Sequence, residues 1–155
     1  MSYTTTLKVG DIAPDFVLFD QNKKEIHLAD LKGKKVLLSF HPLAWTGVCT
    51  KQMQTLEQNF DRFEKVDTIP IGVSIDTIPS KKAWSEHLGI SKISLLSDFW
   101  EHGKIAKAYG LFREKEGFSQ RANILIDENQ KIEFIKIYDI PQLPDIEEIF
   151  SLLEV

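Results

Sequence analysis

The sequence lacks the groups that several kinds of protein depend on. It has one cysteine, Cys49, in 155 residues. No disulfide can therefore close within the chain, and no Cys-x-x-Cys dithiol exists. A lone thiol fits a reducing compartment, and any disulfide formed in turnover must involve another molecule. The four histidines, His27, His41, His87 and His102, are scattered with no pair at ligand spacing. No metal site is expected, and each histidine is expected at the surface or at a cap. No apolar run approaches the roughly 20 residues of a membrane helix. The opening Met1-Ser2-Tyr3-Thr4-Thr5-Thr6 has neither a basic-then-apolar export pattern nor arginine-rich transit character. Net charge is −4 with no basic run, so nothing favours nucleic acid. These absences point to a cytoplasmic protein with no nucleic-acid and no membrane partner.

What is present suits one globular unit. Hydrophobic residues make up 43% and charged residues 27% of the chain, the ordinary balance of a folded domain. A domain of about 150 residues buries roughly 68–70% of its unfolded surface. A single domain over 1–155 is expected, with no repeats and no linker.

The chain reads as alternating strands and helices. Asp15–Phe19 and Glu25–Leu28 form a hairpin across the turn at Asp20–Lys24. A short turn closed by Gly33 leads to the apolar strand Val36–Phe40. A helix follows from about Thr46 to Lys65. Ile69–Ile75 is the next buried strand, with Pro70 at its entry rather than its middle. Pro79 or Ser80 opens a helix that runs to Leu88 and ends at Gly89. Ile93–Leu96 is a third central strand, and Glu101–Tyr109 a short helix stopped by Gly110. Arg113–Gly117 is an exposed loop. Arg121–Ile126 and Lys131–Tyr138 pair as an antiparallel hairpin, the second with one wet face. Asp145 caps a last helix, with Glu148 as capping-box partner and an apolar face of Ile146, Ile149, Leu152 and Leu153. This order is α/β, with parallel central strands and an antiparallel edge.

The chemistry centres on the cysteine. Cys49, Met53, Leu56, Phe60 and Phe63 recur three and four residues apart, so the sulfur faces the protein body from the first turn of its helix. Unpaired N–H groups and the dipole at a helix N-terminus stabilise a thiolate. Free cysteine titrates near 8.5, and values of about 3.5 to 7.5 occur at such positions. A lone cysteine on an apolar stripe is by default a small buried hydrophobe. Its flanks argue for more. Pro42 ends the preceding strand and holds His41 extended. Thr46 lies one turn before Cys49, so its hydroxyl can reach the sulfur or a ligand beside it, or simply cap the helix.

Pro42, Thr46 and Cys49, read as Pro-x-x-x-Thr-x-x-Cys-Thr between strand and helix, resemble the peroxiredoxin signature. The resemblance extends over Val9–Phe16, Leu96–Asp98, Gly103–Gly110 and Arg121–Asp127. It implies a thioredoxin-like fold, a central mixed sheet flanked by helices with an N-terminal β-hairpin extension. It implies that Cys49 attacks a peroxide and becomes a sulfenic acid, that Thr46 holds the peroxide, that Pro42 shields the thiolate, and that Arg121 stabilises it. Substrates would be hydrogen peroxide and organic hydroperoxides, with no cofactor. Without a second cysteine the resemblance is to the one-cysteine type, reset by an external thiol: a thioredoxin-like protein, a glutaredoxin or a small thiol. It also suggests a homodimer. Two departures stand out. His41 precedes the motif proline where the family usually has an aromatic residue, and Gln52 stands where it often has glutamate. Gln52 can still bond to Arg121 but brings no negative charge. Two rival readings remain open: a peroxide-sensing relay that forms a mixed disulfide with a partner, and a hydrolase with His41 as base to Cys49. The tryptophans Trp45, Trp84 and Trp100 are expected in the core or an interface.

Overall fold

The computed structural model describes residues 5–154. Met1–Thr4, most of the segment read above for export signals, and Val155 lie outside the described residues.

The chain opens with the hairpin of β1 (Val17–Phe19) and β2 (Glu25–His27). The Asp20 carboxylate makes its turn by accepting the N–H groups of Asn22 and Lys24 at 2.8 and 2.9 Å, which fits aspartate's preference for such turns. A 3-10 turn at Leu28–Leu31 leads into β3 (Lys35–Phe40). There follow α1 (Gly47–Gln58), α2 (Phe60–Glu64), β4 (Thr68–Ser74), α3 (Ile78–Leu88), β5 (Ser94–Ser97) and α4 (Lys104–Ala108). A small ribbon of β6 (Phe112–Arg113) and β7 (Phe118–Ser119) precedes β8 (Arg121–Ile126), β9 (Ile132–Tyr138) and α5 (Ile146–Leu153).

Seven strands form one mixed sheet in the order β2-β1-β5-β4-β3-β8-β9. β3, β4 and β5 run parallel, and β1, β2, β8 and β9 add antiparallel flanks. Each face carries its own core. Val36, Leu38, Phe40, Ile71, Val73, Ala122 and Ile124 point to the face covered by α4 and the N-terminal segment. Leu37, Leu95 and Leu125 point to the face covered by α1, α2, α3 and α5. The alternation is the pleat of a sheet buried on both sides. Ser39, Arg121 and Asn123 lie on this second face, in phase with Leu37 and Leu125.

The expected order of elements is present, with local differences. The long helix breaks at Asn59, where the side-chain amide and the backbone N–H both donate to the Thr55 carbonyl, at 2.8 and 3.2 Å. Asparagine here competes with the ladder it should extend. Pro70 lies inside β4, opposite Leu37, not at its entry. β5 pairs with β4 only from Ile71 onward, so on that side the proline sits at an edge. The short helix starts at Lys104, not Glu101, because the buried Asp98 carboxylate accepts the N–H groups of Ile105 and Ala106, both at 2.9 Å. The segment expected as a loop at 113–117 is the tip of the β6–β7 ribbon. β9 is half-covered along its length and has no fully wet face. Asp145 does cap α5, accepting from Glu147 N at 3.0 Å. Glu148 does not complete a capping box. Its carboxylate instead accepts from Lys136 Nζ at 2.6 Å and Tyr138 OH at 2.9 Å. The buried residues of α5 are Ile149 and Phe150, while Leu152 is exposed.

Candidate active site

Cys49 is the third residue of α1 and is wholly buried. The helix starts there because Pro42 breaks the extended path and Thr46 takes the cap position with extended angles. The Thr46 carbonyl accepts from Thr50 N at 2.9 Å, closing the first turn. The stripe expected from the sequence is buried at Cys49, Met53, Leu56 and Phe63, with Phe60 half-buried.

Arg121 begins β8, two residues from Asn123 and so on the same side of the strand. That side lies beneath α1, so the guanidinium meets the sulfur. Arg121 Nη1 donates to Cys49 Sγ at 3.2 Å and to Gln52 Oε1 at 2.8 Å, and Nε donates to the Ile140 carbonyl at 2.8 Å. Gln52 Nε2 in turn donates to Ser39 Oγ at 2.7 Å and the Phe40 carbonyl at 3.1 Å. Ser39 Oγ donates to Asn123 Oδ1 at 2.7 Å. A buried polar chain thus runs from Asn123 through Ser39 and Gln52 to Arg121 and ends on the thiol. Such chains fix orientation when every member is satisfied. Because Gln52 is neutral, the positive charge of Arg121 meets no carboxylate in this chain.

Beside it lies a cavity of about 250 Å³ lined by Pro42, Leu43, Thr46, Val48, Phe118, Arg121, Ile140 and Pro141. All four residues singled out in the sequence meet in this region: Pro42, Thr46 and Arg121 line the cavity, and Arg121 touches Cys49. The Thr46 hydroxyl makes no hydrogen bond to the sulfur. It donates to the Leu43 carbonyl at 2.8 Å, leaving its oxygen lone pairs open to a donor.

His41 departs from expectation. It is neither exposed nor a cap but fully buried. Its ring sits against Trp84, with centroids 5.5 Å apart. Nδ1 lies 3.4 Å from the Ser39 carbonyl and Nε2 lies 3.5 Å from Lys81 Nζ. It makes no hydrogen bond to Cys49, so the Cys–His hydrolase pair is not formed. Burial pushes its pKa well down, with Lys81 and Arg121 adding to the effect. Gly72 lies close by: a Cβ there would collide with Met53 Sδ and Leu95 Cδ2 and come only to van der Waals contact with the His41 ring. Of the three tryptophans only Trp84 is buried in the core, while Trp45 and Trp100 are exposed on the single chain.

Sequence reasoning did not single out Ser39, Asn123, the Ile140 carbonyl or Lys81. Ser39 and Asn123 had a signal, since each is a polar residue inside an apolar strand. Lys81, in the pair Lys81-Lys82, had none. Among the described residues no cluster of three or more His, Cys, Asp or Glu could hold a metal, and no helix is long and apolar enough to cross a membrane.

A thioredoxin-like sheet that presents one helix-borne thiol to a buried guanidinium defines a thiol-chemistry fold. The chain belongs to the AhpC/TSA family, the peroxiredoxins, whose profile matches residues 9–135, and with a single cysteine it is of the one-cysteine type. It is 39% identical over 132 residues to "Alkyl hydroperoxide reductase E" of Mycobacterium tuberculosis, covering 84% of this chain and 86% of that one. It is 33% identical over 133 residues to "Thiol peroxidase" of Streptococcus agalactiae, covering 86% and 79%. The reduced 2-Cys peroxiredoxin of Plasmodium vivax superposes with a TM-score of 0.87 at 28% identity, covering 94% of this chain and 80% of that one.

Proposed function

We propose that the protein is a thiol-dependent peroxidase that reduces hydrogen peroxide and organic hydroperoxides through Cys49. The observation that supports this most is the 3.2 Å contact between Arg121 and the Cys49 sulfur at the start of α1. The Cys49 thiolate attacks one peroxide oxygen in line with the O–O bond. The S–O bond forms, the O–O bond breaks, and the leaving oxygen departs with the electron pair and takes a proton. Sulfenic acid and water or an alcohol result. Arg121 and the first-turn N–H groups face the charge on both sulfur and leaving oxygen. Thr46, at the cavity wall, accepts a hydrogen bond from the hydroperoxide O–H and orients it. Pro42 keeps water off the sulfur. The cavity lining of Leu43, Val48, Phe118, Ile140 and Pro141 suits an alkyl group on the peroxide. An external thiol, from a thioredoxin-like protein, a glutaredoxin or a small molecule, displaces water from the sulfenic acid, and a second thiol releases the reduced enzyme. A reducing compartment such as the cytoplasm supplies that thiol.

The test is peroxide consumption with an excess of reductant, alongside intact mass. One oxygen should be added per chain at stoichiometric peroxide, and Cys49→Ser should lose both the adduct and turnover. A Cys49→Ser variant that still consumed peroxide would falsify the assignment. We also infer a homodimer, because Phe19, Phe99 and Trp100 leave apolar rings exposed, and Phe19 pairs across the sheet with Ser97, two residues before Phe99.

A further inference from the structure

Ser39 and Asn123 are buried polar side chains that the mechanism leaves without a role. They stand directly opposite each other in the ladder of β3 and β8. The next pair on the same face is Leu37 opposite Leu125. Two apolar residues would continue that core with no partners to find, whereas a buried polar group costs stability unless its hydrogen bonds are made. Neither residue lines the cavity beside the sulfur. What the pair supplies is a direction to the hydrogen bonds that end on Arg121.

That direction follows from groups whose roles cannot change. A guanidinium only donates and a backbone carbonyl only accepts. The Gln52 amide lies between one of each. Arg121 Nη1 is 2.8 Å from one end, and the Phe40 carbonyl is 3.1 Å from the other. Its oxygen must therefore face Arg121 and its NH2 must face Phe40. The second N–H of that NH2 needs an acceptor, and Ser39 Oγ takes it at 2.7 Å. The Ser39 hydroxyl then turns its single proton to Asn123 Oδ1, also at 2.7 Å. Every donor in the series points away from Arg121, and each link fixes the next. A carboxylate at position 52 would set an acceptor oxygen against the Phe40 carbonyl, so the place is built for an amide. Nη1 carries two protons. One is held by Gln52, and the other is left to reach Cys49 Sγ at 3.2 Å. An amide turned the other way would meet Nη1 with its own N–H groups, and that aim would be lost.

We propose that Ser39 and Asn123 are positioning residues that lock the Gln52 amide and, through it, aim the Arg121 guanidinium at the Cys49 sulfur. The proposal deepens the peroxidase reading and rests on it only for what the aimed charge is for. The lock holds the guanidinium with neutral groups alone, Gln52 Oε1 at Nη1 and the Ile140 carbonyl at Nε. Orientation is thus fixed without an anion that would compete with the thiolate for the same charge.

The first test is the rate of Cys49 alkylation by iodoacetamide, which reports the thiolate. Ser39→Ala removes the lock, and the rate should fall about fivefold, the worth of one net hydrogen bond. Ser39→Thr keeps the hydroxyl and should recover most of the rate. In Gln52→Met there is no amide to lock. Adding Ser39→Ala to that variant should change the rate by less than about 1.5-fold, because residues acting through one another are not additive. An unchanged rate in a folded Ser39→Ala protein, or an equal loss in the Gln52→Met background, overturns the proposal. The second test needs no variant. Arg121 is held once at Nε and twice at Nη1, so nitrogen-15 NMR of the unchanged chain should resolve its Nη1 and Nη2 signals. A single averaged signal, the mark of a freely turning guanidinium, overturns the proposal whether or not the variants fold. Neither test contains peroxide. A protein that shows the coupling but does not consume peroxide would refute the peroxidase reading alone.

Discussion

At the scale of single residues, the site is a set of polar groups placed where the sheet would otherwise be hydrocarbon. Ser39, His41, Arg121 and Asn123 interrupt the face that Leu37 and Leu125 continue. Arg121 and Gln52 are anticipated through the resemblance to the peroxiredoxin signature, which marks an arginine at the late strand's start and a polar residue one turn after the thiol. Lys81 could not, because a lysine pair on a helix looks like a solvated face, and only the packing of α3 decides which of the two turns inward. That choice has a cost in stability that depends on pH. The folded-state pKa of Lys81 lies near 8 and its ordinary value is 10.5. Between those values the unfolded chain binds more protons, so stability rises with pH across the window, and below it the penalty is fully present. Lys81→Met should therefore stabilise the protein by up to about 3 kcal/mol at pH 7. The gain should shrink between pH 8 and pH 10.5. Urea unfolding of both proteins at pH 7 and pH 10 checks this. An equal gain at both pH values would attribute it to packing instead.

Among the elements, α4 shows how one side chain sets a boundary. The amides of Ile105 and Ala106 in its first turn are held by Asp98, a residue outside the helix. Asp98→Ala should cost about 2 kcal/mol through loss of two charge-assisted bonds, and Asp98→Asn, which keeps one good acceptor, should fall between. Urea midpoints of the three proteins measure the order. The order of strands and helices was legible because the apolar periods differ sharply between the five-residue run Val36–Phe40 and the stripe after Cys49. Exact boundaries were not. They turn on side chains that bond to backbone some way along the chain, as Asn59 does to Thr55 and Asp98 to Ala106. The β6–β7 ribbon was hidden for another reason. Its strands are two residues each, too short to show a period, and the charged tip between them reads as loop.

For the molecule as a whole, the exposed rings at one end of the sheet carry the inference about assembly. Trp100 is 81% exposed, and buried tryptophans commonly dominate interface energies. Sedimentation equilibrium should report a dimer, and Trp100→Ser should weaken association at least tenfold while leaving alkylation of Cys49 unchanged. A monomer at millimolar concentration would refute it. A different consequence follows from the segment after β9. Ile140 and Pro141 form part of the cavity wall, and the Ile140 carbonyl also holds Arg121 by its Nε. Doorway and charge share one hinge pin. On the proposed mechanism, a descendant of this chain that reshaped the segment to admit bulkier hydroperoxides would at the same time loosen the aim of its guanidinium, and would trade speed of attack for breadth of substrate.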